Sequence, residues 1–132
     1  MNDYLFVYGT LRQAIKHPLH QLIMTYADYI ANAYLQGQLY EVTTYPAAII
    51  SNNNKDKVVG ELYKLNNAPL LLAVLDDYEE CSPRFAQPHE YLRIQHKVSL
   101  ENGMTQLAWM YCYQGVVSPL KRIITGDYVA PW

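Results

Sequence analysis

Between Tyr29 and Val42 the sequence alternates with period two, with Ala31, Ala33, Leu35, Gly37 and Leu39 on one side and Asn32, Tyr34, Gln36, Gln38 and Tyr40 on the other. Successive side chains of a strand point to opposite faces, so the segment predicts one long, half-buried strand. A strand of this kind is stable only inside a sheet whose apolar face is covered, and the rest of the chain must supply both partners and cover. Residues 4 to 8, Tyr-Leu-Phe-Val-Tyr, read as a short buried strand that stops at Gly9. Residues 45 to 50 resume an extended course, 51 to 57 form a polar asparagine-rich loop, and 58 to 65 read as a further strand. Residues 90 to 100 and 105 to 114 predict a hairpin turned at Asn102-Gly103.

Two helices are expected among these strands. Pro18 suits a first helical turn and is followed by Leu19, Leu22, Ile23 and Tyr26 at helical spacing. Asn67 suits an N-cap, Pro69 the first turn, and Leu71, Val74, Leu75 and Tyr78 one apolar face, with the helix ending near Glu79. The pattern gives an α+β fold with a mostly antiparallel sheet, of a kind that closes into a small β-barrel flanked by short helices. Closure itself is not written in the periodicity. A length of 132 residues fits a single domain over 1–132, and the 13 tyrosines suit strands and half-wet surfaces.

Composition narrows the function. A net charge of −2 leaves no surplus of positive charge to neutralise phosphates, so nucleic acid is not an expected partner. No segment carries the roughly 18 consecutive apolar residues of a membrane span, and the first residues lack a basic stretch followed by an apolar one, which predicts a cytoplasmic protein. Cys81 and Cys112 stand far apart, outside any CxxC pattern, and are expected to be free thiols. His17 and His20 share a helical face but lack a third ligand, so neither a metal nor any other cofactor is expected; a surface role fits them. His89 and His96 have no nucleophile motif to serve.

Two motifs carry chemistry. In Tyr8-Gly9-Thr10-Leu11-Arg12 a buried strand gives way to glycine, where a ligand can approach the main chain and successive N–H groups can cradle an anion. Taken alone, an ordinary turn explains the pattern as well, and Arg12 reads as a solvated loop residue outside the site. In Leu75-Asp76-Asp77-Tyr78-Glu79-Glu80 four acids crowd a helix C-terminus, where the helix dipole does not stabilise them. A solvated acidic helix end is the plainer reading of that segment alone. Glu61, on a strand beside Gly60, is a second candidate acid.

Together the two motifs resemble the gamma-glutamylcyclotransferase-like family, which carries a Tyr-Gly-Ser/Thr-Leu loop after its first strand and an acid in a Leu-Asp-x-Tyr/Gln-Glu segment. Gly37-Gln38-Leu39-Tyr40, Tyr45-Pro46-Ala47, Gly60-Glu61-Leu62-Tyr63, Tyr91-Leu92-Arg93 and Gly126-Asp127-Tyr128 match in the same order. The family's glutamate is often followed by glycine; here Glu80 follows, and then a segment containing Pro83 and Pro88. The resemblance implies a six-stranded or similar barrel with a cavity between the glycine loop and the acidic helix end. It implies a small-molecule gamma-glutamyl substrate, whose α-amino group attacks its own γ-carbonyl to give 5-oxoproline and release an amine or amino acid. Glu79 is then the catalytic acid/base, with Tyr8, Gly9, Thr10 and Leu11 binding substrate. On the helical wheel Glu79 continues the face of Leu75 and should look inward, and Glu80 toward solvent. The alternative is a non-catalytic binding module of the same fold that holds a small anionic metabolite.

Overall fold

The computed structural model describes residues 2–9, 12, 18–42 and 45–129. Strands β1 (Tyr4–Val7), β5 (Val58–Leu65), β2 (Ala27–Leu35), β6 (Tyr91–Leu100) and β7 (Thr105–Tyr113) pair in that order and close into a barrel. Every pairing is antiparallel except the closing one, in which β7 runs parallel to β1 at Leu5 and Trp109. A second sheet, β4 (Tyr45–Ile50), β3 (Gly37–Val42) and β8 (Lys121–Arg122), lies beside it. The helices are α1 (Pro18–Tyr26) and α2 (Ala68–Tyr78). The α+β barrel with two short helices agrees with the expectation, with five strands in the barrel itself.

The long alternating segment is not one strand. It breaks at Gln36 into β2, which belongs to the barrel, and β3, which belongs to the second sheet. The alternation survives the break because Leu35, Gly37 and Leu39 are all buried, so period two alone cannot reveal where a chain changes sheets. Strand β8 is only two residues long and carries no pattern to read.

Strand β1 is buried on both faces, as its unbroken apolar run requires. Phe6 and Tyr8 join Ala33, Leu35, Leu62, Val98 and Met110 in a cluster fed by all five barrel strands. Leu5 and Val7 face the other way, toward Ile23 of α1 and Leu71, Leu72 and Leu75 of α2. The buried face of α2 is therefore Ala68, Leu71, Leu72 and Leu75. Val74 and Tyr78, expected on that face, are exposed. Asn67 occupies the N-cap position without a side-chain capping bond.

The end of α2 sets the position of everything that follows. The Glu80 N–H donates to the Asp77 carbonyl at 3.1 Å and the Cys81 N–H to the Asp76 carbonyl at 2.9 Å, the paired bonds of a Schellman turn. Such a turn needs a left-handed residue after the C-cap, and Glu80 adopts it with φ of +57°. Glycine takes that conformation without the Cβ clash. The exchange of glycine for glutamate noted in the sequence thus falls at the one residue of the turn where glycine is most favoured. Glu80→Gly is expected to stabilise the protein by about 1 kcal/mol, read as a higher urea midpoint at unchanged slope; an unchanged or lower midpoint would contradict this account of the turn.

Candidate active site

A cavity of about 290 Å³ opens between the end of β1, the start of β4, the C-terminus of α2 and the start of β6. Its lining includes Tyr8 and Gly9 from the first motif and Glu79 from the second, which brings together two sequence segments seventy residues apart. Thr10 and Leu11, expected to bind substrate with them, lie outside the described residues, as does His17. Gly9 borders the cavity for a reason different from the expected one. A Cβ there would fall 2.5 Å from Pro46 Cγ, so glycine is needed to let the loop pack on a proline that also lines the cavity.

The four acids at the end of α2 do different things. Asp76 receives Arg93 through two hydrogen bonds, Nε to Oδ1 at 2.8 Å and a terminal guanidinium nitrogen to Oδ2 at 3.1 Å, and also the Tyr111 hydroxyl at 2.8 Å. Arg93 in turn lies over the Trp109 ring, 4.3 Å from its centroid. This group pins the helix end to the β6–β7 hairpin. Asp77 faces outward, where it accepts a hydrogen bond from Ser82 and pairs with Arg84.

Glu79 is the C-cap residue, with φ −80° and ψ 0°, and its N–H donates to the Leu75 carbonyl at 2.8 Å. Its half-buried side chain faces the cavity. Burial raises its carboxyl pKa from 4.5 to about 7, and the nearby Glu90 carboxylate pushes in the same direction. At neutral pH Glu79 is poised between its two protonation states, the condition in which a carboxylate both takes and returns a proton.

Glu80 meets solvent as the wheel expects, but the wheel is corrected in one respect. The residue lines the cavity too, because the left-handed turn carries it off the helical path on which the wheel depends. The neighbours expected to divide between inside and outside instead stand at two depths of one opening.

Tyrosines build the walls. The Tyr8 hydroxyl donates to the Tyr111 carbonyl, the Tyr91 hydroxyl donates to the Pro46 carbonyl at 2.6 Å, and the Tyr45 hydroxyl donates to Glu90 Oε1 at 2.6 Å. Glu90 and burial raise the Tyr45 hydroxyl to about 12, so it remains a donor. Of these wall residues Tyr8 was expected in the site, whereas Tyr45, Tyr91 and Glu90 were not singled out from the sequence as site residues. The only signal lay in the matching segments Tyr45-Pro46-Ala47 and Tyr91-Leu92-Arg93, whose roles no spacing rule reveals.

Three further expectations are corrected. Arg12 is buried, not solvated: it pairs with Asp127 at 2.6 Å, and its Nε lies 3.8 Å from Glu61. Glu61, the second candidate acid, is also buried, accepts the Tyr63 hydroxyl at 2.9 Å and is not part of the cavity lining. It sits opposite Val7 on the face of the sheet that meets the helices. His20 is buried near the Tyr63 ring rather than on the surface.

Comparison with known proteins bears on the same residues. Residues 5–130 match the family described as Gamma-glutamyl cyclotransferase, AIG2-like. The Gamma-glutamylcyclotransferase family protein YtfP of Escherichia coli strain K12 is 34% identical over 128 residues, 95% of each chain. The solution structure of ytfP from Escherichia coli superimposes with a TM-score of 0.63 over 96% of each chain. The crystal structure of YkqA from Bacillus subtilis gives 0.71 at 25% identity, over 97% of this chain and 40% of that one. The order of motifs, the barrel and these matches lead to one assignment: the chain belongs to the gamma-glutamyl cyclotransferase, AIG2-like family.

Proposed function

We propose that the protein is a gamma-glutamylcyclotransferase, which converts a gamma-glutamyl amide into 5-oxoproline and a free amine or amino acid. The observation that carries this reading is Glu79, a cavity carboxyl held by burial at about 7 beside the glycine-bounded end of β1. In the reaction, the α-amino nitrogen of the substrate attacks its own γ-carbonyl carbon and closes a five-membered ring. The Glu79 carboxylate takes the proton that nitrogen loses, and the resulting acid gives it to the departing nitrogen as the old carbon–nitrogen bond breaks. Nucleophile and electrophile share one molecule, so a cavity that holds the folded conformer captures the intramolecular advantage. N–H groups of the loop at Gly9, Thr10 and Leu11 would hold the substrate carboxylate or the oxygen that gains charge.

A single domain over 1–132 and a cytoplasmic setting belong to the same reading, the latter supported by the free thiols of Cys81 and Cys112. No helix among the described residues is long and apolar enough to cross a membrane.

Incubation with a panel of gamma-glutamyl amino acids and gamma-glutamyl amines should yield 5-oxoproline from at least one, with an acid limb in kcat/KM near pH 7. Glu79→Gln should lower turnover by about 10²-fold or more while ligand binding largely survives. A folded protein that binds these compounds without turning any over would point instead to the binding module.

The same substitution has a second, opposite effect. The carboxyl pKa is higher in the folded than in the unfolded chain, so the folded state holds the extra proton between about pH 4.5 and 7 and loses stability as pH rises through that window. Above pH 7 the buried carboxylate costs up to about 3 kcal/mol, less whatever solvent reaches it. Glu79→Gln should therefore raise Tm relative to wild type at pH 8 and leave it nearly unchanged at pH 4. A variant less stable at both pH values would show that the carboxyl supports the fold and is not held there against its solvation.

A further inference from the structure

The matching segment Gly126-Asp127-Tyr128 contributes nothing to the cavity lining, yet its main chain is built firmly into the fold. Just before it, the Ile123 N–H donates to the Leu39 carbonyl at 2.8 Å, and the Ile123 side chain is buried in the barrel core. The Val59 N–H donates to the Gly126 carbonyl at 2.7 Å. Gly126, at φ +70°, comes so close to the start of β5 that a Cβ would overlap the Lys57 carbonyl. Asp127 is thereby fixed beside the barrel, where its carboxylate meets Arg12 at 2.6 Å.

Arg12 stands between two carboxylates that hold it unequally. A terminal nitrogen donates to Asp127, whereas Nε, buried and without a hydrogen-bond partner among the described residues, is 3.8 Å from Glu61. A charge-assisted bond would close to about 2.8 Å, so Asp127 keeps the guanidinium roughly 1 Å short of Glu61. The main chain of the same residue reaches the site: the Arg12 N–H donates to the Gly9 carbonyl at 3.0 Å, and Gly9 lines the cavity. The side chain between these two ends is only 10% exposed, so its packing passes a shift of the guanidinium on to the backbone. We propose that Asp127 is a positioning residue: acting through Arg12, it holds the glycine loop where the loop N–H groups meet the substrate. The proposal rests on the cyclotransferase reading for what the loop binds, and it adds what sets the position of the loop. A misplacement of about 1 Å in a catalytic site can cost about 10²-fold in rate.

The test reads the loop directly by NMR. Tyr8-Gly9 is the only tyrosine-glycine pair in the sequence, so carbon labelling of tyrosine carbonyls with nitrogen labelling of glycine isolates the Gly9 amide signal. Asp127→Asn keeps the acceptor oxygen but removes the charge, which frees the guanidinium to close on Glu61. The Gly9 signal should shift, and kcat/KM for the best compound of the gamma-glutamyl panel should fall by about 10- to 10²-fold. Glu61→Gln removes a carboxylate from the same buried cluster but leaves the Asp127 bond in place, so the Gly9 signal should stay where it is in wild type. Val98→Ala, in the barrel core and outside the cavity lining, gives the kinetic cost of lost stability alone, measured at a temperature where every variant is folded. A Gly9 signal unmoved in Asp127→Asn, one moved as far in Glu61→Gln, or a kcat/KM in Asp127→Asn no lower than in Val98→Ala would each overturn the proposal. Turnover with an unmoved Gly9 signal sinks the role of Asp127 and leaves the cyclotransferase reading standing. With no turnover by wild type that reading falls, and the Gly9 signal still decides whether Asp127 sets the loop.

Discussion

The contact between Asp76 and Arg93 fixes the geometry on which the site depends. Helix α2 is short, and its apolar face, Ala68, Leu71, Leu72 and Leu75, lies in its first eight residues, which leaves its last turn without hydrophobic anchorage. Two charge-assisted hydrogen bonds from Arg93, a third from Tyr111 and the Trp109 ring beneath the guanidinium supply that anchorage. Both partners are only partly exposed, so these bonds are less screened than surface pairs and are worth about 1.5–3 kcal/mol each. Three residues further along, the C-cap places Glu79 at the cavity, and the left-handed turn that follows swings Glu80 to its mouth. A helix end free to fray would carry the acid with it.

Stability and chemistry then pull against each other at the same residues. A carboxyl kept half-buried, facing another carboxylate, costs folding free energy at neutral pH, and a glutamate in a left-handed turn costs more. The barrel bears these costs because its core is filled from all five strands and β1 is buried on both faces. Strain and unfavourable charge at a cavity, carried by an otherwise consistent fold, are what a functional site looks like.

Much of this was legible in the sequence. The strands around Phe6, Leu62, Val98 and Met110 follow from alternation and from the Asn102-Gly103 turn, and the α+β class follows from them. The break at Gln36 was hidden because alternation continues across it. The acidic cluster at residues 76–80 was tied to a site only through the family resemblance, and its division of labour did not appear in it. Asp76 differs from Asp77 only through Arg93 and Tyr111, brought from far along the chain by the β6–β7 hairpin. Arg12 was misjudged for the same reason: its burial is recognisable only once Asp127, more than a hundred residues away, is seen beside it. The helical wheel gave the side of Glu79, four residues after buried Leu75, and the exposure of Glu80, but not that Glu80 borders the cavity, because the helix had ended there.

The central claim is that the fold holds the Glu79 carboxyl near neutrality by burying it. Titration of the folded protein by carbon NMR of labelled glutamate side chains, with Glu79 assigned by its absence in Glu79→Gln, measures this without reference to any substrate. The account predicts a midpoint of about 7 that falls only in part when Glu90 is replaced by Gln, because burial is the larger cause. A midpoint near 4.5, or one that returns fully to 4.5 in Glu90→Gln, would contradict it.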